Sequence, residues 1–101
     1  MEFTESQKNI LKSQILAKLS FEQEVQKIVL FGSFVKSDFP NDIDIAVFQD
    51  SNEKYIPLSL KYRKLVRGIS ENISVDILPI KVNAKGSFLT EVSAGETIYE
   101  R

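Results

Sequence analysis

Apolar residues recur at every fourth position near the start of the chain, at Leu11, Ile15 and Leu19, with Leu16 at the edge of the same stripe. That spacing predicts an amphipathic helix over roughly residues 5–20. Thr4-Glu5-Ser6-Gln7 fits a capping box, with Thr4 as N-cap and Gln7 reaching back. The pattern then changes. Val25 to Phe31 ends in the unbroken run Ile28-Val29-Leu30-Phe31, which predicts a strand buried on both faces. Gly32-Ser33 follows at once, and residues 34–41, with Ser37, Asp38, Pro40 and Asn41, read as a turn-rich connection or short helix. Asp42 to Phe48 predicts a second strand. Beyond the polar loop Gln49–Lys54, Pro57 suits the first turn of a helix, and Leu58, Tyr62, Leu65, Val66 and Ile69 mark its apolar stripe, with Gly68 near its end. Ile73 to Leu78 predicts a third strand stopped by Pro79. Residues 87–94 read as a short helix with Phe88, Leu89 and Val92 on one side and Gly95 as its stop. Glu96 to Glu100 is either a last short strand or an ordered tail. The expected architecture is one α/β (α+β) domain over residues 1–101: a small mixed β-sheet with helices packed on one side.

Composition narrows the chemistry. The 101 residues are 43% hydrophobic and 27% charged, which excludes a disordered tail or a low-complexity linker. Thirteen basic residues against fourteen acidic ones leave a net charge of −1. Such a chain has no broad field for long nucleic acid or an anionic membrane. Cysteine and histidine are both absent, which removes disulfides, Cys/His zinc sites and Ser-His-Asp triads. No apolar run approaches the ~20 residues of a spanning helix, and Glu2, Glu5, Lys8 and Lys12 leave no signal-peptide core, so the expected location is cytoplasmic. The small size leaves no room for a second substrate domain. The substrate, a twin subunit or a partner protein must complete any site.

Carboxylates carry the chemistry that remains. Side chains alternate along a strand, so Asp42 and Asp44 share one face, about 6.6 Å apart along the chain. Ile43, Ile45 and Val47 face the other way. Asp76 shares a face with Ser74 and Leu78, opposite Ile73, Val75 and Ile77. If the second and third strands pair with their isoleucine faces together, Asp76 lies beside the Asp pair, one strand spacing of ~4.8 Å away. Alone, an Asp-x-Asp on a strand is a solvated edge or a turn cap. Three gathered anions repel one another and cost several kcal/mol each to desolvate, so they call for a cation. Oxygen-only ligands select Mg²⁺ or Mn²⁺. Two such ions ~3.5–4 Å apart suit in-line phosphoryl displacement.

Gly32-Ser33 has two readings. Small residues make a tight strand-to-helix turn, with Ser33 as an N-cap. The same geometry lets a phosphate approach a backbone without a Cβ, with exposed N–H groups and the Ser33 hydroxyl as donors. No Walker A sequence is present.

Gly32-Ser33, an eight-residue spacer, Asp42-Ile43-Asp44 and the later Val75-Asp76-Ile77 together resemble the polymerase-beta-type nucleotidyltransferase superfamily. Size and a helix-first layout resemble its minimal nucleotidyltransferase (MNT) branch, often the antitoxin of a helical HEPN toxin. The resemblance covers nearly the whole chain. It implies two Mg²⁺ (or Mn²⁺) ions on Asp42, Asp44 and Asp76, and an NTP, chiefly ATP, held at Gly32 and Ser33, with Lys36 as the candidate phosphate-binding charge in this chain. It also implies that Asp76 deprotonates or orients an acceptor hydroxyl. The expected reaction moves AMP onto a hydroxyl of the HEPN partner. The rival reading is a binding module that blocks its partner sterically. A small-molecule nucleotidyltransferase ranks below both, for want of an acceptor domain. Oligomeric state is left open. Many family members carry Arg directly after Gly-Ser and again soon after, where this chain has Phe34 and Lys36-Ser37; the spacer is also about two residues shorter. Lys36 supplies charge without a bidentate fork.

Lys61, Arg63, Lys64 and Arg67 form a basic cluster, read first as a solvated helix face and second as a dock for an acidic partner or phosphate. Tyr62 is expected in the core. Phe34 and Phe39 beside the motif are left open between a site cap and a partner contact.

Overall fold

In the computed structural model the described residues are 2–69, 73–87 and 89–101. Eight elements follow in order: α1 (Glu5–Leu19), β1 (Val25–Phe31), α2 (Ser33–Lys36), β2 (Asp42–Gln49), α3 (Tyr55–Leu65), β3 (Ser74–Lys81), α4 (Leu89–Ser93) and β4 (Glu96–Glu100). The capping box opens α1: the Thr4 hydroxyl accepts from the Gln7 N–H at 3.2 Å, and the Gln7 side chain accepts from the Thr4 N–H at 2.9 Å. Phe88, expected on α4, lies outside the described residues.

The four strands form one sheet in the order β3-β2-β1-β4. β1 runs antiparallel to β2 and β4, whereas β2 and β3 are parallel. The sheet is therefore mixed, and α3 is the crossover between its parallel strands. Glu96–Glu100 is a strand rather than a tail, because β1 offers it a free edge. Lys12 also reaches from α1 to Glu96 at 2.9 Å.

One face carries the main core. Leu11, Ile15 and Leu19 of α1 and Leu58 and Tyr62 of α3 pack there with Ile28, Leu30, Ile43, Ile45, Val47 and Ile77. The other face holds a smaller cluster of Val29, Ala46, Ile80 and Val92, so α4 covers the sheet from behind. β1 is thus buried on both faces, as its unbroken apolar run predicts.

Three expectations are corrected. The helices do not all pack on one side, because Val92 of α4 buries itself against Val29 and Ala46 on the other face. β3 does not stop at Pro79 but runs through it to Lys81. Proline cannot donate to a ladder, yet β3 is one of the sheet's two edge strands, where a missing N–H costs nothing when it faces outward. Ser33 is not the N-cap of α2. Gly32 takes that position, with φ 76°.

Candidate active site

The parallel register of β2 and β3 pairs Asp42 with Ser74, Ile43 with Val75, and Asp44 with Asp76. Isoleucines therefore share the core face, and the three aspartates share the opposite face, as alternation predicts. At the same end of the sheet Phe31, the last residue of β1, stands opposite Asp44. The chain then turns at Gly32. A Cβ there would collide with Oδ2 of Asp44, and the positive φ disfavours any other residue. The Gly-Ser turn consequently lies directly against the Asp44 carboxylate.

Burial first, and then the neighbouring Asp76, Asp42 and Glu91 carboxylates, raise the Asp44 pKa above its ordinary value. No cation offsets this: among the described residues, none of these four acids makes an ion pair. Glu91 enters from α4 on the rear face, and nothing in its sequence surroundings marks it. Asp44 is half-buried, whereas Asp76 on the edge strand is exposed.

The donor set fits a hard divalent ion, since it is all oxygen and electrostatically uncompensated. Among the described residues, no group of three acidic side chains stands close enough to hold a metal ion by itself. The expected three-carboxylate convergence is therefore not reached, and an ion here would draw further ligands from water and substrate phosphates, as Mg²⁺ does.

The Ser33 hydroxyl fastens the turn to β2. It accepts from the Asn41 N–H at 3.1 Å and donates to the Asp42 carbonyl at 3.5 Å. The hydrogen-bond ladder of α2 starts only at the Val35 N–H, which donates to the Gly32 carbonyl at 3.2 Å. Its first N–H groups, on Ser33 and Phe34, have no partner one turn back. Lys36 is exposed at the end of α2. Phe34 is fully buried in the core, so it neither caps the site nor meets a partner, whereas Phe39 is exposed.

A residue overlooked in the sequence holds this short helix. Lys8 of α1 is only 4% exposed. Its Nζ donates to the Ser37 carbonyl at 2.7 Å and sits 5.5 Å from the centre of the Phe34 ring. The Phe3 N–H adds a bond to the Asp38 carbonyl at 2.8 Å. Lys8 lies three and seven residues before Leu11 and Ile15, on their buried face, and that spacing was the available signal.

The basic cluster on α3 divides. Lys61 turns away to Glu22 and Glu24, at 2.8 and 2.9 Å, while Arg63, Lys64 and Arg67 stay exposed. Tyr62 is in the core, and its hydroxyl donates to Glu24 at 2.8 Å.

A family model described as polymerase beta, nucleotidyltransferase matches residues 13–101. The chain belongs to that family. No curated protein is similar enough in sequence to count as a match. Among solved structures, the domain resembles a chain of a tri-AMPylated Shewanella oneidensis HEPN toxin in complex with an MNT antitoxin. That likeness has a TM-score of 0.60 at 21% identity, over 93% of this chain and 73% of the other. It also resembles a chain of the toxin-antitoxin MntA-HepT, with a TM-score of 0.62 at 21% identity over 92% and 73%. A mutant of that kind of complex, with two aspartates changed to glutamate, gives 0.54 at 18% identity over 93% and 73%. The nucleotidyltransferase domain shares its fold with these chains. Among the described residues no helix is long and apolar enough to cross a membrane.

Proposed function

We propose that this nucleotidyltransferase transfers AMP from ATP to a hydroxyl of a partner protein, as the MNT antitoxin of a HEPN toxin. The observation that carries the proposal is the set of uncompensated carboxylates beside a Cβ-free turn: Asp44 registers with Asp76 and presses on Gly32. Family membership supports nucleotidyl transfer. The shared fold with chains of HEPN–MNT complexes, one holding an AMPylated toxin, supports the acceptor class.

Asp42, Asp44 and Asp76 would hold Mg²⁺, which would supply positive charge to the phosphoryl oxygens and the leaving group. Gly32 leaves room for the triphosphate to approach the backbone, and the Ser33 N–H at the start of α2 bonds its oxygens. Ser33 keeps this turn in register with Asp42 through its two bonds. Lys36 adds positive charge near the phosphates. The acceptor hydroxyl attacks the α-phosphorus, a new P–O bond forms, and the bond to the bridging oxygen breaks to release pyrophosphate. Asp76, the exposed acid on the outer strand, orients the hydroxyl and takes its proton.

A steric antitoxin is the second reading. It is favoured by Phe34, which stands where relatives carry Arg and is buried, leaving Lys36 alone for the triphosphate. Calorimetry of ATP with Mg²⁺, wild type against Asp42→Asn, tests the site, with binding expected only in the wild type. Mass spectrometry of a co-expressed HEPN partner tests the acceptor. One added adenylyl group that disappears with Asp44→Asn is expected. Neutralisation by Asp44→Asn without that group would establish the steric reading instead.

A further inference from the structure

α3 has a second side. Leu58, Tyr62 and Val66 face the core, but Ile56 and Leu60 are 64% and 63% exposed. Ile56, Leu60 and Arg63 fall at i, i+4 and i+7, and Arg67 continues the row in the turn beyond. At 3.6 residues per turn these four make one stripe on the outer surface, apolar at its start and cationic at its end. Arg63 donates to Ser59 at 3.3 Å, and among the described residues neither Arg63 nor Lys64 meets a carboxylate. The cationic end opens into a cleft of about 270 Å³ between the end of α3 and the start of β3, lined by Arg63, Arg67 and Ser74. Ser74 is the register partner of Asp42. The stripe therefore leads from the far end of α3 to the start of β3, at the sheet edge that separates α3 from the acid face.

We propose that this outer face of α3 docks a helical segment of the acceptor protein, with aliphatic side chains on Ile56 and Leu60 and carboxylates in the Arg63–Arg67 cleft. The inference rests on the reading that the acceptor is a protein. Its charge pattern selects an acidic end on the partner, and the row of anchors at helical spacing suits a helix laid along it. Aliphatic anchors offer no stacking platform for single-stranded RNA. Two exposed aliphatic residues also make a poor membrane anchor. A segment so held has its acidic end beside Ser74, and its following residues would have to round the β3 edge to reach Asp76.

The test uses a phage-displayed library of helical peptides randomised on one face. Selected peptides are expected to carry aliphatic residues at i and i+4, with Asp or Glu one to two turns on. Their affinity should fall at least about tenfold with Ile56→Ser/Leu60→Ser and with Arg63→Glu, as for anchors at the centre of an interface. Mg²⁺-dependent ATP binding should be unchanged in both variants. Peptide binding indifferent to these changes, or failure to select any peptide while ATP binding persists, overturns the docking face and leaves the transfer reading intact. Intact peptide docking with no ATP binding does the reverse. Three other results also overturn the proposal: short single-stranded RNA bound through Arg63 with Ile56→Ser neutral, binding to anionic vesicles abolished by Arg63→Glu, or a dimer of this chain dispersed by Leu60→Ser.

Discussion

Two groups of carboxylates stand at opposite ends of β1, roughly 20 Å apart by strand rise. Before its first residue, Glu22 and Glu24 meet Lys61, and Glu24 also accepts from Tyr62. Burial alone works to raise the Glu24 pKa, but the bonds from Lys61, its own backbone and Tyr62 prevail and hold it below its ordinary value. The Lys61 pKa is raised in turn, chiefly by Glu22. Beside the last residue of β1, Asp44 is also partly buried, yet its neighbours are Asp76, Asp42 and Glu91, and its pKa moves up. One end is a finished ion-pair network. The other is unfinished unless something positive arrives, and it is the end with the open turn. Acids shifted in opposite directions in one small chain separate the structural pair from the candidate site.

Exchanging one residue on each side breaks the comparison most sharply. Asp44→Asn should cost transfer roughly 10²–10³-fold, in the range for removing a principal electrostatic contact to the reacting phosphate. Labelled nucleotide incorporated into the partner measures this. In chelator, the same variant should melt a few degrees higher than wild type, because a repelled charge is gone. Equal melting curves would dismiss the claim that these acids strain the fold. Glu24→Gln should do the converse. It should lose roughly 1.5–3 kcal/mol of stability in urea titrations, typical for hydrogen bonds to a charged group, with ATP binding unaltered.

The pH dependence carries opposite signs at the two ends. The Glu24 pKa is held below its ordinary 4.5, so its stabilising contribution is present above that value and is lost as pH falls through the lower folded one. The Asp44 pKa lies above its ordinary 3.8, so its contribution is present below 3.8 and is lost as pH rises through the folded value. Urea midpoints followed from pH 7 down to about 3 should therefore decline less in Glu24→Gln and more in Asp44→Asn than in wild type.

Much of this layout was legible because strand alternation is strict. Ile43 and Ile45 need the core, so Asp42 and Asp44 must face away, and the same rule turns Asp76 toward them. The capping box and the α1 and α3 stripes were legible for the same reason, through the helical period. α2 was only half legible, since four residues hold no period and its placement comes from distant contacts. Pro79 misled because a local rule about donors ignores which strand is outermost. Lys8 was given no place in the apolar stripe of α1, although its spacing from Leu11 and Ile15 put it inside. The outer stripe of α3 escaped because the basic residues looked like one cluster, and only the structure sends Lys61 elsewhere.

Lys8→Met sharpens the comparison from the side of the turn. The substitution keeps an apolar stem over Phe34 but removes the bond to the Ser37 carbonyl, so α2 loses a tie to α1. Mg²⁺–ATP affinity should fall about tenfold, since a hydrogen bond from a charged group contributes roughly 1.5–3 kcal/mol. Peptide docking on α3 should not change. Unaltered ATP affinity would make Lys8 a packing residue only.

Glu91→Gln has the smallest expected effect. Glu91 adds to the repulsion on Asp44 from outside the predicted triad, and it ranks last among the causes of that shift. Neutralising it should ease Asp44 without removing any residue proposed to hold the ion. Mg²⁺ affinity should then drop about twofold or less, since only a long-range attraction is lost in an exposed, screened setting. If Glu91 were itself a ligand, affinity should instead collapse as far as in Asp42→Asn. Titration of Mg²⁺ against ATP binding in the two variants, side by side, distinguishes a fourth ligand from a bystander charge.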